Sequence, residues 1–361
     1  MSIFPGAKLL NKHVGAYHPS YWHTLALSTI LSMSWLPRLY SLGYQFLLPS
    51  KPRLVEEDVP DLQGKVTIVT GSNTGLGKEI AQILYSKNAK VYMLARSEEK
   101  TKQAIDSIKA AVPNSSGELI YLHLDLADLP TIPSTVQAFR RRESQLHLLF
   151  NNAGVAFPKS GSRTKQGYVL ETGVNCLGTF ALTELLTPTI VSTAKTSPPN
   201  SVRVVWVSSS AAEAYSPKNF VQSIKRAETM TQVGKYFSSK LGNYLHAAEY
   251  ATRHKADGVI CVPLNPGALD TELWREQTSL VKSVLRATLL YPPLYGAYTC
   301  LFAAFSPEIT LEKSGSYVAP WGQLWNAPSD MVRAGRSLAE CGDGTAKEFW
   351  EWSEAQVKKY I

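Results

Sequence analysis

The sequence predicts an α/β chain built on a doubly wound parallel sheet, and three observations carry that prediction. Six short runs rich in Val, Ile and Leu alternate with segments of helical periodicity. Those runs are nearly continuous in apolar residues, as in strands buried on both faces. A glycine-rich turn joins the first run to the first helical segment. Repeated βα units close into a parallel sheet through right-handed crossovers, and ligands then sit beyond the carboxyl ends of the strands.

The strands are expected at Lys65–Thr70, Lys90–Ala95, Leu119–Leu124, Leu146–Asn151, Val202–Ser208 and Val259–Leu264, with GSYVAP near residue 317 as a seventh. Helices are expected at Leu76–Lys87, Glu98–Ala111, Thr131–Arg142, Val174–Leu186, Tyr236–His254 and Leu294–Phe305. Lys347–Tyr360 reads as an amphipathic terminal helix. The expected organisation is one large domain over 61–325, an apolar extension over 1–60 and a helical extension over 326–361.

The extension is unlike the rest. From Val14 to Leu36 only His18 and His23 can carry charge, and after Pro37 and Arg38 the chain is again uncharged from Leu39 to Ser50. The stretch is too long and too aromatic for a cleaved signal peptide. Three readings stay open for residues 14–50. They are a membrane span, a monotopic attachment hinged at Pro37 with Tyr21, Trp22, Trp35 and Tyr40 at the interface, and a helix packed on the domain. The expected location is intracellular, in the cytoplasm or attached to an internal membrane or lipid droplet.

A net charge of +8 and a sequence pI of about 9.1 suit nucleic acid, an anionic membrane or a phosphorylated ligand. The Lys and Arg residues are scattered, which argues against nucleic acid and for phosphate binding or membrane contact. Cys176, Cys261, Cys300 and Cys341 stand far apart and the seven histidines make no cluster, so free thiols and no metal site are expected.

The chemistry-bearing motifs come in order. TGSNTGLGKE follows the first strand: Gly71 allows the sharp turn, Gly75 lets the backbone approach a pyrophosphate, and Gly77 lets the helix pack closely on the sheet. Asn73 and Leu76 complete that candidate cofactor loop. The second strand ends at Ala95-Arg96, where a carboxylate for a ribose 2′-hydroxyl is missing and a guanidinium stands instead. Tyr236 and Lys240, four apart, share one helix face. A nearby ammonium, together with the positive charge of an oxidised cofactor, is expected to pull the phenol below its ordinary value near 10.

TGxxxGxG, then Asn151–Gly154, then Tyr236-x-x-x-Lys240, correctly spaced on alternating strands and helices, resemble the short-chain dehydrogenase/reductase family. The resemblance is strong over about 61–271 and looser to about residue 320. It is closest to the retinol-dehydrogenase-like branch and to fungal oxidoreductases. It implies a Rossmann fold and a nicotinamide cofactor, with Arg96 favouring NADP. On the resemblance, Asp125 would bond the adenine amino group, and Asn152, Ala153 and Gly154 would line the adenosine ribose pocket. Pro266, Gly267 and Thr271 would hold the nicotinamide.

The resemblance further implies Tyr236 as proton donor and acceptor and as a cofactor contact, Lys240 as its tuner and a ribose contact, and Ser209 as the holder of the substrate oxygen. Ser208 and Ser210 stay open as a one-residue alternative to Ser209. Asn175 would support a water-linked proton path, or else merely kink its helix. The segment after Thr271, with Trp274, Leu280, Val284, Leu289, Leu290 and Tyr291, either shapes a pocket for a hydrophobic lipid, retinoid, steroid-like or polyketide substrate or covers the core. The rival reading is an NADP-binding regulatory or membrane-anchored scaffold protein with little turnover. Oligomerisation is left open.

Overall fold

The structure is a computed structural model that describes residues 41, 43, 45, 50–272, 283, 286 and 289–361. Residues 14–40 of the apolar extension, and Trp274, Leu280 and Val284 of the expected substrate segment, lie outside the described residues.

Eight strands form one sheet: β1 (Val66–Thr70), β2 (Lys90–Ala95), β3 (Glu118–His123), β4 (Leu148–Asn151), β5 (Arg203–Val207), β6 (Ile260–Leu264), β7 (Val318–Ala319) and β8 (Gln323–Leu324). Their order is β3-β2-β1-β4-β5-β6-β7-β8. All pairs are parallel except β7–β8. The order reverses between β1 and β4, and this switch point places a ligand crevice at their carboxyl ends. β1, β5 and β6 are buried along their whole length, as their unbroken apolar runs demand. β3 is only half-buried because it is the edge strand.

One face is covered by α1 (Gly75–Ser86) and α2 (Glu98–Ala111), which set Ile80, Ile83, Ile105 and Ile108 on Val69, Val91 and Phe150. The other face carries α3 (Ile132–Arg140), α4 (Thr179–Thr196) and α6 (Gln232–His254), while α5 (Phe220–Lys225) joins a separate cluster with Leu241 and Leu245 of α6. α4 continues from a π-helical stretch at Thr172–Gly178. Thr172–Thr196 is long and apolar enough to cross a membrane, but 67% of its most apolar window is buried, so within this fold it serves as a core helix. α7 (Pro293–Phe305) returns to the first face against α1. α8 (Ser329–Gly335) and α9 (Thr345–Val357) then lock onto α6 through Met331, Phe349 and Tyr244.

The doubly wound sheet predicted from the sequence is therefore present. α2 matches its expected span, while α4 runs ten residues past Leu186, to Thr196. The short α5, α8 and β8 carry too few residues for a periodic signal. Cys176, Cys261 and Cys300 are buried free thiols, and Cys341 is exposed.

Candidate active site

A cavity of about 910 Å³ opens at the carboxyl ends of β1, β2, β3, β4, β5 and β6. Its walls include Gly71, Asn73, Gly75, Leu76 and Gly77 from the first loop, and Arg96 and Asp125 after β2 and β3. Asn152, Ala153 and Gly154 follow after β4, Ser209 after β5, Tyr236 and Lys240 come from α6, and Pro266, Gly267 and Thr271 follow β6. The sheet brings together residues as far apart in sequence as Gly71 and Thr271 because each follows the carboxyl end of a neighbouring parallel strand or lies on α6.

The glycine loop is shaped by contact. Gly71 and Gly75 have φ of +66° and +51°, in the left-handed region that L side chains avoid. A Cβ on Gly77 would lie 2.4 Å from the Gly71 carbonyl oxygen and 2.6 Å from Asn152 Nδ2, so only glycine lets α1 approach the turn. Asn152 braces that turn by donating to the Thr70 carbonyl at 2.8 Å. Thr70 Oγ1 accepts from the amides of Asn152 and Ala153. At the start of α1, Thr74 makes no side-chain cap and the first turn holds no acid. The helix N-terminus thus presents free backbone donors and positive dipole to the cavity, which fits a pyrophosphate.

Arg96 is exposed at the cavity rim, with Lys100 one turn further on in α2. Neither makes an ion pair with another described residue. Lys100 is a rim cation that the sequence reading missed; its place four residues after Arg96, in the first turn of an expected helix, could have revealed it. Asp125 is half-buried and accepts from the Ala127 amide at 3.0 Å.

The catalytic half is made of buried side chains. Three adjacent serines follow β5, and their partners separate them. The Ser208 hydroxyl donates to the Lys240 carbonyl at 2.7 Å and is buried. Ser210 opens a short 3-10 turn and is buried too. Ser209 is half-buried, accepts from the Ala211 amide and hydrogen-bonds Tyr236, which draws the phenol down. Burial is the larger effect and pushes Tyr236 up to about 12. Burial likewise drives Lys240 down to about 8, while its ammonium donates to the Val207 carbonyl at 3.0 Å. Lys240 Nζ stands 5.9 Å from the centre of the Tyr236 ring, over its face. In the chain alone desolvation sets the level of the phenol and Ser209 draws it down, whereas the expected depression belongs to the state that also carries the charge of the oxidised cofactor.

Asn175 sits in the π-helical stretch, off the cavity wall. Its side chain is fully engaged: Oδ1 accepts from the Val155 amide at 2.8 Å, and Nδ2 donates to the Val155 carbonyl and to Ser239 Oγ at 2.9 Å each. It fixes the strand-end loop against α6 beside Lys240. π-Helical insertions of this kind are frequent at functional sites.

The cavity end beyond Tyr236 is apolar, with Ala156, Phe157, Ala211, Ala214, Val233 and Phe237 on its walls. Phe157 escaped the sequence reading. Its φ of +49° is unusual for a bulky side chain, and its ring centre lies 4.9 Å from that of Tyr236. The segment after Thr271 divides: Leu289 lines the cavity, whereas Tyr291 packs on Trp321 with ring centres 5.0 Å apart.

Comparison with known proteins agrees with this geometry. The short chain dehydrogenase family model matches residues 65–281. A short-chain dehydrogenase/reductase of Phomopsis amygdali is 50% identical over 320 residues, covering 87% of this chain and 96% of the relative. One from Neocamarosporium betae is 45% identical over 321 residues, covering 87% and 92%. Among solved structures, the Pseudomonas aeruginosa RhlG/NADP active-site complex has the same fold, with a TM-score of 0.57 and 20% identity over 71% of this chain and 94% of that one. With the family motifs converging on one cavity and these relatives matched along most of their length, the chain belongs to the short-chain dehydrogenase/reductase family and is an oxidoreductase.

Proposed function

We propose that the protein is an NADP-dependent oxidoreductase that interconverts a carbonyl and an alcohol on a hydrophobic small molecule. The single observation that carries this reading is the cavity itself, which has cationic and backbone-donor walls at one end, Ser209, Tyr236 and Lys240 at its waist, and apolar walls beyond.

When bound, the cofactor supplies the hydride. This chain's residues do the rest. The α1 N-terminus and the glycine loop bind the pyrophosphate, and Arg96, with Lys100 beside it, pairs with a 2′-phosphate. Ser209 donates to the substrate oxygen, a contact that strengthens as negative charge develops there. Tyr236 gives its phenolic proton to that oxygen during reduction and takes it back during oxidation. A phenol raised by burial stays protonated at neutral pH, so the proton to be given is in place. Lys240 and Asn175 hold α6, the β5 end and the Val155 loop in register around it.

The apolar end, with Phe157 and Phe237 flanking Tyr236, is suited to a hydrophobic ring or chain beside the reacting carbonyl. The test is a panel of hydrophobic aldehydes, ketones and alcohols, among them 2-naphthaldehyde, 2-decanone and decanal, assayed with NADPH and with NADH. The expected outcome is NADPH-preferring turnover of hydrophobic carbonyls. Equal use of NADH would undo the Arg96 argument, and preference for small polar carbonyls would undo the substrate class.

A further inference from the structure

Behind Ser209, on the side away from the cavity, lies a buried polar network that the reaction as described does not use. Ser41 and Gln45 are helical and one turn apart, so they share a face. Both are buried, and both meet Glu213, which is fully buried four residues after Ser209. Ser41 Oγ donates to Glu213 Oε2 at 2.6 Å, and Gln45 Nε2 donates to Glu213 Oε1 at 2.7 Å and to Ser41 Oγ at 3.0 Å. Trp325 Nε1 donates to Ser41 Oγ at 3.0 Å.

From this hub the network runs two ways. The Tyr317 side chain stands against the Glu213 carboxyl, and its single hydroxyl proton goes to the Ser209 carbonyl at 3.0 Å. In the other direction, Asn265 Nδ2 donates to Gln45 Oε1 at 2.8 Å, and Asn265 Oδ1 accepts from the Gly267 amide at 3.1 Å. The network therefore ends on the serine turn at one side of the reacting centre and on the Pro266–Gly267 turn at the other.

The chemistry of this network is one-sided. Every partner of the Glu213 carboxyl is a neutral donor, and no described Lys or Arg pairs with it. Burial pushes the carboxyl up, and the donors around it, the Ser41 and Gln45 bonds first, draw it back down. A well-packed apolar side chain would fill the same space without desolvating a carboxyl group. What an apolar residue could not do is hold three chain segments by directed bonds.

We propose that Glu213, gripped by Ser41 and Gln45, is a positioning residue. Through Tyr317 and Asn265 it fixes the Ser209 turn and the Gly267 turn relative to each other, which makes the end of the N-terminal extension a working part of the active site. The proposal rests on the reading of Ser209 given above.

It is tested in the full-length chain with Gln45→Ala, Glu213→Gln and Tyr317→Phe, beside Ser209→Ala. The first readout, amide hydrogen exchange, needs no substrate. Gln45→Ala and Glu213→Gln are expected to speed exchange over residues 209–213 and 265–269 together, Tyr317→Phe over 209–213 alone, and none of the three over the glycine loop. The second readout is turnover of the carbonyl and alcohol pair found in the panel. Tyr317→Phe is expected to lower kcat about tenfold, the order of loss that a misplaced catalytic group brings, with NADPH affinity unchanged.

The pH limb of alcohol oxidation should also move upward, as in Ser209→Ala. The groups facing the Tyr236 phenol are Ser209, Lys240, the Tyr317 phenol and the rings of Phe157 and Phe237, and of these the Ser209 hydroxyl draws it down. A loss of folded protein alone would reduce amplitude and leave that limb in place. Unchanged exchange in Gln45→Ala and Glu213→Gln, or an unmoved limb in Tyr317→Phe, overturns the proposal. If Ser209→Ala itself turns over normally, it is the reading of the reaction that fails.

Discussion

The two ends of the cavity are built from different materials. At the β1–α1 end the recognition surface is main chain, with two glycines of positive φ, a third that admits no Cβ and an uncapped helix N-terminus. At the β5–α6 end it is side chains, and their properties come from burial: Tyr236 held up to about 12 and Lys240 down to about 8. A main-chain site tolerates solvent and recognises a charge pattern shared by many anions. A side-chain site works only if its groups are dry and fixed, because desolvation sets their proton affinities. The difference teaches that binding and chemistry in this protein are separable by mutation.

That separation can be broken or sharpened by experiment. The largest effect among the supporting variants is expected from Ser209→Ala, which removes the donor to the substrate oxygen and should lower kcat by about 10²–10³. NADPH affinity, read by fluorescence titration, should be unchanged. A parallel loss of affinity would show that the two ends are not independent.

Arg96→Ala should do the reverse. Loss of one charge-assisted contact is expected to weaken NADPH by about ten- to a hundredfold while leaving NADH binding and kcat alone. Equal weakening of both cofactors would mean that Arg96 does not read the 2′-phosphate.

The smallest effect concerns stability and acid. Burial holds His246 down to about 3 and His147 down to about 4, so both are neutral in the folded chain near neutral pH. As pH falls below about 6.5 the unfolded chain takes up protons that the folded chain refuses, and stability is lost progressively towards pH 3–4. His246 lies where α6 meets α9, stacked on Phe349 at 4.4 Å and hydrogen-bonded to Ser353 at 2.9 Å. His246→Gln should therefore flatten the decline of Tm between pH 7 and 4 without moving NADPH affinity at pH 7. An unchanged slope would place the acid sensitivity elsewhere.

The cofactor end was legible in the sequence because its determinants are local. Gly71, Gly75 and Gly77 report a turn whose geometry forbids side chains, and the strand before them reports its burial by composition. Tyr236 and Lys240 were legible for the same reason, being one helical turn apart. What stayed hidden is what depends on distant partners. Ser41 and Glu213 are 172 positions apart and Gln45 and Glu213 are 168, and nothing in the local pattern marks Glu213 as buried. The burial of Tyr236 was hidden too. The spacing to Lys240 reports a shared helix face, whereas the dry wall that pushes the phenol up is built from several elements. Phe157 adopts its left-handed backbone through its surroundings, with no glycine or asparagine to announce it.

The separability of binding and chemistry is tested most directly by Tyr236→Phe, assayed for NADPH affinity and for single-turnover hydride transfer on the same preparation. NADPH affinity is expected to stay unchanged and the transfer rate to fall by at least about 10², since the proposed general acid is removed while the cofactor walls stay intact. Transfer at the wild-type rate would contradict that role.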